Sequence, residues 1–567
     1  MKNNILSGCL FAATLLLSTS CSDFLTETPK GKLTPEGFFS NQSELDMGVN
    51  ALYAKVQAYQ CNSNPMILEC AGDDVTSTTG SNKAAYLSND AFETPTDTKG
   101  LNDNWGRLYT IVKAANSIID NAGSAATSQE EINIAMGQAH FWRAYAYFKL
   151  VRKFGPLPLI LHNIPDDNKT ELTNVEGIYT QIVEDLTKAE SMNLPAKYTG
   201  ANRVFDGSNV YVSAQAVKST LAAVYMSMAG YPLNKTEYYA KAADKAKEVI
   251  DGVESGKYDQ GLLADWNQVY SYGNNHHNET ILGIEYRHVN GGWSDGDSQF
   301  SSCHQLGSLS GWGDFLAERR YWANYPDGPR KDAVYAKTEH TAAGNDVDWW
   351  ATKDGKAYDG TNAVVSDYRP MFVAFTVNKN DDGSPSTEAY DCTKPFWGGM
   401  CIDKRHQLIR YSEVLCWYAE AAARAGQDLA GAKKALKQVR QRAYTDQTKV
   451  SAVDGMGANE LAEAAFEEHG YEVAGYVLAM VTRTDDQFRA NKLKKAYAYR
   501  TGAQTQVLVP KGTLTLSEDA NGKPFTYTLP ADVVVKENME VTAAWTDNSM
   551  YNPYPPTEVE KNPNLKR

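Results

Sequence analysis

The stretch from Leu408 to Gly426, LIRYSEVLCWYAEAAARAG, constrains this chain more than any other, because two helical periods run through it at once. Leu408, Tyr411, Leu415, Tyr418 and Ala422 recur at three- and four-residue steps and make one stripe of an α-helix. Arg410, Glu413, Trp417, Glu420 and Arg424 make a second, with opposite charges one turn apart on either side of an indole. A helix that is apolar on one side and carries charges around a tryptophan on the other is expected to pack between other helices. Gly426 is expected to stop it.

Other stretches share this character, so the fold class is mainly α. A second helix at Leu429 to Arg442 makes Leu408 to Ala443 a hairpin. Ser213 to Asp251 has the same plan, with a Gly230-Tyr231-Pro232 turn and alanines at close-packing positions, the spacing of a tetratricopeptide-like helical pair. Further helices are expected after a cap at Asn41 or Ser43, at Trp105 to Ala122, from Ser128 to Gly155-Pro156, at Val175 to Ser191 and at Asn459 to Glu468. These place a helical scaffold at about 41–254 and 406–470. Residues 61–100 show no helical period, and residues 255–405 are rich in Gly, Asp, Asn and Trp with only short strand-like pieces at Thr280 to Tyr286 and Met371 to Val377. Long irregular stretches inside a compact protein are often functional. Val507 to Trp545 alternates β-formers around Asn521-Gly522 and reads as a small β-hairpin element.

Of the 567 residues, 42% are hydrophobic, enough for a sizeable core. The net charge of −14 argues against nucleic acid or an anionic membrane surface as the partner, and favours a neutral ligand or another protein. Lys2, an apolar run from Ile5 to Leu17 and the sequence Leu17-Ser18-Thr19-Ser20-Cys21 read as a signal peptide over residues 1–20. The small residues before Cys21 resemble a bacterial lipobox, which implies acylation of Cys21 and a lipid-anchored mature chain, 21–567, forming one domain.

Metal, cofactor and catalysis are not expected. Cys61/Cys70 and Cys392/Cys401 are each nine apart, with no C-x-x-C, a spacing that disfavours zinc and leaves disulfides and free thiols both open. Cys416 reads as a small packed hydrophobe. Gly307-Ser308-Leu309-Ser310-Gly311 has leucine where a nucleophile elbow needs serine. His276-His277 reads as a polar loop, and the adjacent acids Asp166-Asp167 and Asp485-Asp486 as solvated turns.

In order along the chain come the lipobox with Asp23-Phe24-Leu25, Ala139-His140-Phe141-Trp142-Arg143-Ala144 through Phe154-Gly155-Pro156-Leu157-Pro158, and Ala216-Val217-Lys218. Arg410-Tyr411-Ser412-Glu413 through Ala419-Glu420-Ala421 and the closing Pro555-Pro556-Thr557-Glu558 with Asn562-Pro563-Asn564-Leu565 complete the series. In this the chain resembles the SusD-like (SusD/RagB) outer-membrane lipoproteins of Bacteroidetes. It departs from their usual Glu-Arg-Arg piece at Glu468-His469-Gly470-Tyr471-Glu472. The resemblance implies tetratricopeptide-like helical pairs supporting an irregular ligand-binding face. It also implies an outer-membrane location facing the exterior, a SusC-like TonB-dependent transporter as partner, and capture of oligosaccharides, or in some members peptides, for import.

Sugars present apolar C–H faces fringed by hydroxyls, so a glycan site needs aromatic platforms and planar polar groups. The irregular segments supply both. Asp73 and Asp74, with Asn82 and Lys83 nearby, lie in the first; Trp293, Trp312, Trp322, Trp349 and Trp350 lie in the middle region; Arg369, Phe396 and Trp397 follow. The ligand-binding set expected is Asp73, Asp74, Trp293, Trp312, Trp322, Arg369 and Trp397, whereas Trp105 and Trp417, at helical spacing, belong to the core. A non-catalytic glycan-binding lipoprotein is the leading reading, with a peptide-binding relative and a surface glycoside hydrolase as alternatives.

Overall fold

A computed structural model describes residues 38–77, 82–163, 169–200, 202–287, 297–303, 312–336, 338–340, 346–348, 352–353, 356–358, 363–364, 370–389, 391, 397, 401–501, 506–509, 512–516, 525–529, 533–536 and 544–565. The expected signal peptide, Cys21 and Asp166-Asp167 lie outside them. The chain enters α1 (Gln42–Gln60) at Asn41, whose side chain accepts the Glu44 N–H at 3.1 Å. Leu45, Val49, Leu52 and Val56 are buried, as the period requires. After β1 (Val75–Thr76) comes α2 (Ala84–Asp90), which corrects the expectation that 61–100 is wholly irregular. So short a helix owes little to its own period. Its Tyr86 is held from outside, by Ser63 and Asp314.

Then follow α3 (Lys99–Asn121), α4 (Gln129–Phe154), α5 (Val175–Ser191), α6 (Ala214–Ala229) and α7 (Tyr238–Glu254). Each packs on its successor, and α1 closes on α3 and α4. In α4 every residue from Gly137 to Phe154 is buried, so its polar groups must find partners inside. His140 and Arg143 both reach Asp185 on α5, at 2.7 and 2.8 Å.

The middle region contributes β2 (Thr280–Ile284), β3 (Leu316–Ala317), α8 (Arg319–Asn324) and α9 (Pro329–Val334). Met371 to Val377 is not a strand; only Phe372 makes a bridge, to Tyr335. Its apolar side chains serve packing rather than pairing, with Phe375 stacked on Tyr476 at 5.3 Å.

β4 (His406–Arg410) corrects the start of the central helix. Leu408 and Ile409 belong to a strand that runs antiparallel to β2, with Ile409 opposite Leu282. A short apolar run fits either period, and the partner strand decides. The helix itself, α10 (Tyr411–Ala425), starts where the Arg410 N–H donates to Glu413 at 2.8 Å and stops at Gly426, φ 68°. It packs against α7, α11 (Leu429–Ala443) and α12 (Ala458–Glu472), so the expectation of a helix between helices holds. Trp417 is core, and Cys416 packs beside it.

α13 (Arg483–Arg489) and α14 (Leu493–Thr501) follow. Asp485 and Asp486 are not a solvated turn; both are buried in the first turn of α13, paired with Arg152 at 2.8 Å and with Arg489 at 2.7 Å. The β-rich segment is two nested hairpins. β5 (Gln506–Val509) pairs with β8 (Val533–Lys536) around β6 (Gly512–Leu516) and β7 (Phe525–Leu529), and β5 lies against α8. Cys70, Cys401 and Cys416 are free thiols, all buried, and Cys61 is buried as well; Cys392 is outside the described residues. Among the described residues no helix is long and apolar enough to cross a membrane.

Candidate functional site

Two irregular segments far apart in sequence are joined by two residue pairs. β1 runs antiparallel to β3, with Val75 opposite Ala317 and Thr76 opposite Leu316. That register sets the residues before β1 alongside those after β3, so Asp73 and Asp74 meet α8. The Glu318 N–H donates to the Asp74 carbonyl at 2.9 Å to fix the join. At the other end of the pair, Asp314 gathers Lys83, Ser63 and Tyr86 into a buried polar cluster. Lys83 is thereby committed to structure.

Asp73 grips Arg483, the first residue of α13, in a two-pronged pair at 2.8 and 3.1 Å. The same guanidinium donates to Glu467 of α12 at 2.9 Å and lies 5.4 Å from the Tyr321 ring centroid. Burial works against the Arg483 charge, and Asp73, Tyr321 and Glu467 more than offset it. Gly470 makes the close approach possible. A Cβ there would lie 2.4 Å from Arg483 Nη1 and 3.0 Å from Tyr321 Oη.

Around this pair opens a cavity of about 250 Å³, walled by Asp73, Tyr321, Asn324, Glu467, Tyr471 and Arg483. The rings of Tyr321 and Tyr471 stand 5.8 Å apart at 49°, and carboxylate, guanidinium and amide groups fringe them. Aromatic faces with planar polar groups at their edges suit a ligand that is apolar on its faces and hydroxylated on its rim.

The expected residues divide. Asp73 lines the cavity. Asp74 turns inward, buried, and its carboxylate accepts the Gly475 N–H at 2.8 Å; burial pushes its acid up to about 7. Trp322 sits on the cavity's own helix but points elsewhere, half-buried under the Lys331 ammonium at 4.7 Å, while its neighbour Tyr321 faces the cavity. Trp312 is half-buried against the core beyond the opposite end of β3. Trp397 is half-buried, its backbone N–H donating to Val377 O at 3.0 Å, and does not line this cavity. Trp293 and Arg369, with Trp349, Trp350 and Phe396, lie outside the described residues.

Sequence reasoning missed Tyr321, Asn324, Glu467, Tyr471 and Arg483. Glu467, Tyr471 and Arg483 fall on two helices where an acid, a tyrosine and an arginine look like ordinary helix residues. The departure at Glu468-His469-Gly470 was the one local signal, since it puts the smallest residue beside Arg483.

A family model described as the SusD family matches residues 278–567, and one described as starch-binding associating with outer membrane matches residues 23–226. SusD-like protein P2 of Formosa agariphila is 28% identical over 275 residues, covering 46% of this chain and 48% of that protein, so the chain matches about half the length of this relative. In shape it is similar to surface glycan-binding protein A from Bacteroides fluxus, with a TM-score of 0.64 at 18% identity over 92% of this chain and 98% of that one. It is equally similar to a crystal structure with xylogluco-oligosaccharide, with a TM-score of 0.65 at 18% identity and the same coverage. At such identities the likeness in shape shows the fold alone. Because the SusD family model by itself matches more than half of the residues, the chain belongs to the SusD family.

Proposed function

We propose that this chain is a non-catalytic glycan-binding protein of the cell surface. It is anchored in the outer membrane through Cys21 and passes its ligand to a SusC-like TonB-dependent transporter for import. The observation that carries the reading is the cavity at Asp73, where Tyr321 and Tyr471 offer faces and Asp73, Asn324 and Arg483 offer planar hydrogen-bonding groups. Similarity in shape to a protein described with xylogluco-oligosaccharide and to one described as glycan-binding supports it. In the cavity Asp73, Glu467 and Arg483 are paired with one another, which suits capture and release better than proton transfer.

The mature chain without Cys21 is to be run through affinity gels containing starch, xyloglucan, xylan, galactomannan, levan, pectin or mucin glycans. Retardation by one of them is expected, with Tyr471→Ala weakening it about tenfold or more. New reducing ends in a long incubation would overturn the non-catalytic part. Wild-type mobility unchanged by all seven would overturn glycan binding.

A further inference from the structure

A second cavity, also about 250 Å³, lies on the other side of α13, bounded by Phe92, Phe488, Tyr551, Asn89, Asn552 and Arg152 among others. The two cavities share their dividing wall. Arg483 and Gln487 line the first, Thr484, Asp485 and Phe488 the second, as two faces of one short helix do. Ala71 lines the second and Asp73 the first, with only Gly72 between them. Two residues of chain reach at most about 7 Å. Gly72 is also packed tightly: a Cβ there would lie 2.7 Å from Asp74 Oδ1 and 3.0 Å from Thr484 Oγ1.

The second cavity has its own ligand chemistry. The Phe488 and Tyr551 rings stand 5.3 Å apart at 59°. Phe92 holds φ at 61°, a left-handed backbone rare for a bulky residue, and so presents its ring at the cavity wall. Asn89 is buried, 4% exposed; its amide donates to Thr94 at 2.9 Å, while among the described residues its Oδ1 accepts nothing. The cations at the floor are already paired, Arg152 with Asp485 at 2.8 Å and Lys153 with Glu69 at 2.7 Å. Beside these paired charges the cavity offers a ligand aromatic faces and the Asn89 amide acceptor.

We infer that this cavity is a second subsite, holding a neutral sugar ring next to the one at Asp73, so that the ligand is a chain of joined sugars lying across Gly72. This rests on the glycan reading above, and the experiment separates the two. Oligosaccharides of two, four and six sugars, cut from the polysaccharide that retards the wild type, are titrated calorimetrically into the full mature wild type, Phe92→Gly and Tyr551→Ala. Glycine suits φ 61°, so Phe92→Gly removes the ring without straining the fold. Both variants are expected to melt within a few degrees of the wild type and to bind the four- and six-sugar ligands about tenfold more weakly. Both binding every length as the wild type does would overturn the second subsite while leaving glycan binding standing. Retardation by pectin in preference to every neutral polysaccharide would overturn the neutral assignment. A wild type retarded by none of the panel would overturn both readings.

Discussion

Position 469 buries a histidine between two carboxylates, Asp486 at 2.5 Å and Glu413 at 3.4 Å, against the face of Trp417. Burial alone would strip its proton, but the two acids outweigh it and hold the imidazolium to about pH 9. A folded value raised above the ordinary 6.5 means the stabilisation is full below that pH and is lost as pH climbs through about 9. The amount at stake is on the order of 3 kcal/mol. The melting temperature is therefore expected to fall between pH 6.5 and 9.5, and His469→Gln to melt lower at pH 6.5 and to lose most of that fall. Asp74 has the same sign for a different reason. Burial raises its acid to about 7, with the Gly475 N–H opposing, so its contribution is present at low pH and lost as pH rises through about 7. Asp74→Asn keeps an acceptor for Gly475 without the charge, and is expected to raise the melting temperature by roughly a few degrees at pH 8 and to change it little at pH 4.

Among the elements, two left-handed glycines end or turn helical segments and look alike in sequence. Gly426, φ 68°, caps α10 with open space where a Cβ would go; Gly475, φ 69°, has the Phe372 ring 2.2 Å from that point. Gly426→Ala is expected to cost about 1 kcal/mol, the backbone penalty alone. Gly475→Ala must also displace a buried ring that holds the irregular region to the helices, so its loss in urea unfolding is expected to be at least about twice as large. Equal losses would show that Phe372 yields freely. The helices themselves were written in the sequence wherever a cap and a period coincide, as at Asn41 with Leu45, Val49, Leu52 and Val56. They were misread where a short run had a partner elsewhere: Leu408 and Arg410 carry helical spacing, yet both lie in the strand that pairs with β2.

Across the molecule, one carboxylate ties the irregular region to the scaffold. Glu472 of α12 accepts from Arg330 at 2.7 Å, Arg410 at 3.1 Å and Arg442 at 3.3 Å, and Glu279 shares the last two. Burial opposes its charge, but Arg442, Arg330 and Arg410 carry its acid down to about 2. Glu472→Gln leaves buried guanidiniums short of charge and is expected to cost roughly 3–5 kcal/mol, read as a large loss of denaturation midpoint. The sequence alone determined the helical class, most helix ends and the family, because caps, periods and motif order are local and survive reading in one dimension. It also set Asp73 among aromatic side chains of the middle region as an expectation, though Trp312, Trp322 and Trp397, which it named, do not line the cavity where Asp73 lies. Which aromatic ring meets Asp73 was decided only in three dimensions. The β1–β3 register selects the helix, the helix turns Tyr321 inward and Trp322 aside, and Arg483 arrives from more than four hundred residues away. Such a site is an intersection of elements, and no local rule of spacing encodes where separate elements cross.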